Sequence, residues 1–247
     1  MPLSPVSPAV NSGMPLSDEE DRAQALLALS VALLDSALDL FMQHSISDAQ
    51  LNQPSVLMPG GTVGKHLRHV IETFQAFLLP LIHPVSNSTS ASPSGTKSVR
   101  RMADYRQESH AQSSEINYDT TLPSSRKTLA RSADACQAAL RAVRDDLEAW
   151  GRSSDNLGQV GDSEHGIPGV GVAGETNVSG LAAQMQREVR LIALTPTRQE
   201  IKSTFGRELW FCALHAIHHF SMLRTIAVHE LSMDLPLEFG TAPSTLL

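Results

Sequence analysis

Aromatic side chains make up only 4% of the 247 residues. That scarcity argues against a β-sandwich, whose strands lean on aromatic and β-branched side chains. The hydrophobic fraction is nonetheless 41%, enough to bury a core, and its alanine- and leucine-rich balance favours helices. Basic excess is missing too: the net charge is -7 and the isoelectric point about 5.8. A phosphate backbone needs a broad positive footprint, so nucleic acid is not an expected partner. Only two cysteines occur, Cys136 and Cys212, in segments that read as different helices. They make no CxxC and no disulfide framework, which fits a reducing compartment. No uninterrupted apolar run approaches the ~20 residues of a membrane span, so no membrane partner is expected. Residues 1–16 hold Pro, Ser, Gly and Asn without a basic start or a sustained apolar stretch. They read as a disordered leader rather than a secretory signal, and the cytoplasm is the expected location.

What is present is helical periodicity. Ser17 and Glu20 form a capping box, and Leu26, Leu27, Ser30, Leu33, Leu34, Ala37, Leu38 and Phe41 follow at helical spacing, predicting a first helix to about His44. Pro54, Pro59, Gly60 and Gly61 then break the chain. A second helix starts near Val63 with Leu67, Val70, Ile71, Phe74, Phe77 and Leu78 on its stripe, and Pro80 and Pro84 stop it. Residues 86–98 are of low complexity and polarity persists to Pro123, so 86–123 reads as a flexible, irregular insert. The third helix begins at Ser124 or Ser125 and runs to Trp150, with Gly151 ending it. Residues 151–180 form a second flexible insert. Alternation over 188–194, a turn at 195–198 and a return over 199–202 predict a two-stranded ribbon. Ser203 or Thr204 caps the fourth helix, which runs to about Leu231, and the tail from Ser232 lies over the bundle as coil. The expected fold class is all-α: one four-helix-bundle domain over 17–247 with a short β-ribbon before the last helix and two disordered inserts.

Histidines carry the chemistry. His215 and His219 are four residues apart on the fourth helix, so both imidazoles point from one face and can reach one ion. Ala216 stands where an HExxH metalloprotease has its glutamate, which excludes that mechanism. A third ligand must come from elsewhere, and the second helix offers His66 and His69. His69 lies nearer the stripe of Val70 and Phe74, which favours it; His66 then reads as a neighbour that orients a ligand or touches substrate. A histidine on a helix face is more often a packing residue, so the HxxxH alone does not decide.

Residues 64–70 (GKHLRHV) and 206–219 (GRELWFCALHAIHH) resemble the two signature helices of the DinB-like superfamily of four-helix bundles. The resemblance covers roughly residues 17–231 without the inserts, and residues 238–245 resemble the tail of one bacterial branch. It implies that His69, His215 and His219 hold a metal and that His218 is an additional, non-ligand histidine. Two departures stand out: the inserts are longer than in compact members, and Phe220-Ser221-Met222 replaces the Arg-Gly-Gln that follows HxxxH in many relatives. The activities implied are thiol-dependent S-transfer, isomerase-like reactions using a low-molecular-weight thiol, and the bundle half of ergothioneine-type sulfoxide synthases, which works with a second catalytic domain. Bundles of this family often pair, so a homodimer is an expected state.

Three histidines on a tetrahedral ion leave one position for a water or a thiol, and a metal favours the anionic, nucleophilic form of a thiol. Zinc, nickel, iron and manganese all suit such donors. The expected function is therefore a metal-dependent transferase or hydrolase acting with a small thiol or a water. The alternative is a non-catalytic, metal-stapled bundle serving as a binding or stress-response module. An open coordination position facing a pocket distinguishes the first; closure by a fourth protein ligand such as Cys212 distinguishes the second. Glu208, seven residues before His215, is the candidate acid/base, set against a default of an exposed first-turn residue favoured by the helix dipole. Cys212 reads as core. Arg207 and Arg224 are candidates for a substrate carboxylate, with a solvated helix face as the default. Trp150 and Trp210 read as bundle packing or as a cap, and Tyr105 and Tyr118 have no assigned role.

Overall fold

The computed structural model describes residues 18–82, 114–119, 126–156 and 180–246. The leader, Ser17 with its capping role, Pro84, Tyr105, the bulk of both inserts, and Ser124 and Ser125 lie outside the described residues. Four long helices dominate: α1 (Asp18–His44), α3 (Val63–Ile82), α5 (Ala133–Asn156) and α7 (Phe205–His229). Short helices α2 (Asp48–Asn52), α4 (Arg126–Leu129) and α6 (Leu181–Gln186) sit between them. Around the bundle α1 packs on α5 and α7, and α3 packs on the same two. The ring order is thus α1, α7, α3, α5. Apolar side chains recurring every three to four residues meet at its centre, where Leu34, Leu67, Phe74, Phe77, Leu140, Leu147, Phe205 and Phe220 are buried.

Length and average composition make α1 the one helix, among the described residues, that is long and apolar enough to cross a membrane. The expectation that no apolar run approaches the length of a membrane span is therefore corrected for α1, whose apolar stretch is interrupted by Asp35 and Asp39. In the fold, Asp35 accepts a hydrogen bond from Arg144 of α5 at 2.9 Å, while Leu34, Ala37 and Leu38 face the core.

Two helix ends differ from expectation. Pro80 does not stop α3, which continues to Ile82; in the last turn a missing N–H disrupts only one ladder bond. Nor does Gly151 end α5, which runs to Asn156, so residues 151–156 belong to the bundle and not to an insert. Gly151 is there for α1: a Cβ at this position would lie 2.3 Å from Leu27 Cδ2. A tighter approach occurs at Gly64, where a Cβ would stand 2.1 Å from the Ala130 carbonyl oxygen.

The ribbon forms as expected. Strands β2 (Glu188–Ala193) and β3 (Gln199–Thr204) pair antiparallel from Glu188↔Thr204 to Ala193↔Gln199. A third strand, β1 (Ser114–Ile116), adds parallel to β2 with Ile116 opposite Leu191, within a stretch read as irregular. Three residues are too few to show a period of two, and the pairing is made with a strand over seventy residues away. Helix α6 was likewise not anticipated; the carboxylate of Glu20 accepts the Ala182 N–H at 2.9 Å near its start. Thr204 rather than Ser203 caps α7, its side chain accepting the Arg207 N–H at 3.2 Å. The tail crosses α7 as coil: Phe239 stacks on Phe220 with centroids 5.1 Å apart. Arg224 donates to the carbonyls of Pro236 and Phe239, so it clamps the tail and is not a free cation for a substrate.

Candidate metal centre

Helix α7 presents His215 and His219 one turn apart toward α3, and α3 carries His69 back toward them. One ligand atom from each of the three lies within 4.8 Å of the others. The ring centroids form a near-equilateral triangle with sides of 4.9 Å (His69 to His215), 4.6 Å (His69 to His219) and 4.7 Å (His215 to His219). All three are half-buried.

His66, one turn before His69, meets the triangle from the side. Its Nδ1 lies 3.0 Å from Nδ1 of His219. One of these nitrogens must donate and the other accept; with His219 Nδ1 as the donor, His219 Nε2 keeps its lone pair for an ion. The other nitrogen of His66, Nε2, is buried with no hydrogen-bond partner among the described residues. Gly61 makes room for it, since a Cβ there would stand 2.9 Å away. His218 is exposed and outside the triangle, its ring 5.4 Å from that of His219 and 6.3 Å from that of His215.

Burial, reinforced by the neighbouring histidines with His69 foremost, pushes the His215 pKa down to about 4 and that of His219 to about 3. His66 is lowered by burial and then by His69, His218 and Lys65. At neutral pH these imidazoles are uncharged and offer lone pairs. Clustered neutral imidazoles that resist protonation are a donor set suited to a divalent ion of intermediate softness, and the residues present therefore fit such an ion.

Two turns toward the start of α7 lies a second polar group. Glu208 is fully buried, in contrast to the exposed first-turn residue expected. Its Oε1 accepts from Ser203 Oγ at 2.5 Å and from Arg207 at 2.9 Å, and its Oε2 accepts from Tyr118 at 3.0 Å. Seven residues along a helix is about 10 Å, so Glu208 does not join the histidine triangle. Tyr118 thus has a defined place; burial, then Cys212 and Glu208, raises its pKa far above normal and keeps the hydroxyl protonated. Cys212 is core, its pKa pushed up to about 12 by burial. Its Sγ lies 3.6 Å from the Tyr118 hydroxyl and 3.9 Å from the Thr73 carbonyl oxygen, and it is not a member of the histidine group. Arg207 pairs with Glu208 and covers the Phe211 ring at 5.7 Å. Phe211, which sequence reasoning passed over, stacks on His215 with centroids 5.4 Å apart and planes 22° from parallel. Its position four residues before His215 was the available signal. Trp150 packs edge-on against Phe77, whereas Trp210 is half exposed.

Comparison with known proteins bears on this geometry in three ways. The family model described as the mycothiol maleylpyruvate isomerase N-terminal domain matches residues 31–163. That span holds His66 and His69 and stops before α7. A 47-residue stretch is 49% identical to the FK506-binding protein 5 of Rhizopus delemar, covering 19% of this chain and 12% of the length of that relative. No solved structure matches.

Proposed function

We propose, from the premise that the chain belongs to the mycothiol maleylpyruvate isomerase N-terminal domain family within the DinB-like superfamily, that it is a metal-dependent enzyme working with a low-molecular-weight thiol. In this reading His69, His215 and His219 hold one divalent ion. The observation that carries it is the triangle itself: three donors within 4.8 Å of one another, drawn from two helices, with a group of only three members among the described residues. Such an ion supplies Lewis acidity and favours the nucleophilic, deprotonated form of a thiol or water in the position the protein leaves open.

The chain's own residues do the rest. With its Nδ1 donating to Nδ1 of His66, His219 is held in the tautomer that can ligate through Nε2. Phe211 restrains the plane of His215. The depressed pKa values of His215 and His219 keep protons from competing for the donor nitrogens at neutral pH. Cys212, engaged with Thr73 and Tyr118 and held as a thiol, is not available as a fourth ligand, which supports an open centre over a closed staple. A thiol co-substrate suits the family's description, and a cytoplasmic setting would keep it reduced.

Elemental analysis of the purified protein tests the metal: about one equivalent of zinc, nickel, iron or manganese is expected, and His215→Ala should lose most of it. Equal metal content in both would remove the site. The open position is tested on cobalt-loaded protein, whose visible spectrum should change when a small monothiol is added. A spectrum indifferent to thiols, in a protein that metal still stabilises, would favour the non-catalytic stapled bundle.

A further inference from the structure

We infer that Glu208 is a positioning residue for the metal centre, acting on His215 through Tyr118 and Phe211. The inference rests on His215 being a ligand, as proposed above. Glu208 accepts from three donors that come from three places: Tyr118 just after β1, Ser203 near the end of β3, and Arg207 on α7 itself. Only a carboxylate, with two acceptor oxygens and no donor, serves all three at once. A fully buried carboxyl that ties together three separate parts of the chain is placed to hold their geometry.

What it holds is a run of aromatic contacts. The Tyr118 ring lies 5.0 Å from Phe211 at a tilt of 47°, and Phe211 stacks on His215 with planes 22° from parallel. Among the described residues no hydrogen bond orients His215, unlike His219 with His66; the flat aromatic contact takes that part. The Tyr118 hydroxyl, fixed between Glu208 and Cys212, sets where its ring sits and hence how far Phe211 can tilt. Cys212 in turn touches the Thr73 carbonyl of α3, one turn beyond His69. The assembly thus braces the His215 side of the triangle as His66 braces the His219 side.

Cobalt-loaded full-length protein tests this. Tyr118→Phe keeps the ring and removes the hydroxyl; Glu208→Gln keeps the shape and removes the charge. Both should shift the visible cobalt band and weaken cobalt binding about tenfold, the effect expected when a ligand loses its supporting neighbour. Leu147→Ala on α5, which empties core volume away from α7, should lower the melting temperature and leave band and affinity unchanged. Spectra and affinities equal to wild type in Tyr118→Phe and Glu208→Gln would overturn the inference and leave Glu208 a structural staple. Should Glu208→Gln fail to fold, Tyr118→Phe alone decides. Wild-type protein that binds no cobalt would instead overturn the metal assignment, and this inference with it.

Discussion

His66 and His219 face each other nitrogen to nitrogen, Nδ1 to Nδ1, at 3.0 Å across the α3–α7 interface. Two neutral imidazoles can share that contact only if one carries the proton and the other does not. Replacing His66 by alanine should therefore leave metal binding in place but weaken it about tenfold, as loss of an orienting partner does. Competition against a chromophoric chelator measures this. An unchanged affinity in His66→Ala would mean the pair is a packing contact.

Stability of the metal-free protein should fall as the pH is lowered from about 7 toward 4. His215 and His219 have pKa values of about 4 and 3 in the fold, against 6.5 ordinarily. Between those values the unfolded chain binds more protons than the native one, so acid favours unfolding. The stabilisation is fully present above pH 6.5 and is lost progressively as the pH falls through the folded values. Thermal melts at stepped pH read this out, and His215→Ala should flatten the profile. A melting temperature level across the window in the wild type would contradict the burial described for these rings.

Two glycines make a paired test of close packing. At Gly64 a Cβ meets backbone, 2.1 Å from Ala130 O and 2.8 Å from Ala130 C, which cannot swing aside. Gly64→Ala should cost about 2–3 kcal/mol. At Gly151 the obstacle is the end of the Leu27 side chain, which can change rotamer, and alanine gains about 1 kcal/mol of helix preference. Gly151→Ala should therefore be neutral within about 1 kcal/mol. Urea unfolding of both variants gives the comparison, and equal losses would show that the neighbour's mobility is not what decides.

Thr204 and Ser203 separate by role at the start of α7. Thr204→Ala removes the cap on the Arg207 N–H and should cost about 1 kcal/mol. It should leave metal affinity alone, because the cap touches neither Glu208 nor the aromatic stack. A Thr204→Ala variant as stable as wild type in chemical denaturation would count against the capping geometry.

The long helices were legible because their apolar residues recur at helical spacing, and the His215–His219 pair because both lie on one helix. His69 needed the family resemblance as well, since periodicity alone left His66 open. What stayed hidden depends on contacts between distant segments. Nothing local in Ser114–Ile116 announces a strand, because its partner is β2. Gly151 looks like a helix stop, yet α5 runs through it and it lies against Leu27 of α1. Glu208 looks like an exposed first-turn acid; its burial follows from Tyr118 and Ser203 arriving from elsewhere in the chain.

The ring order imposes a schedule on synthesis. Helix α1 is complete at His44, yet the helices it packs against, α5 and α7, begin at Ala133 and Phe205. A nascent chain must therefore carry this long, apolar helix without its partners while about ninety more residues emerge, several seconds or more at ribosomal speed. The main contacts of α1 all close long loops, a topology that slows folding, and until they form its apolar stripe is left without its native cover.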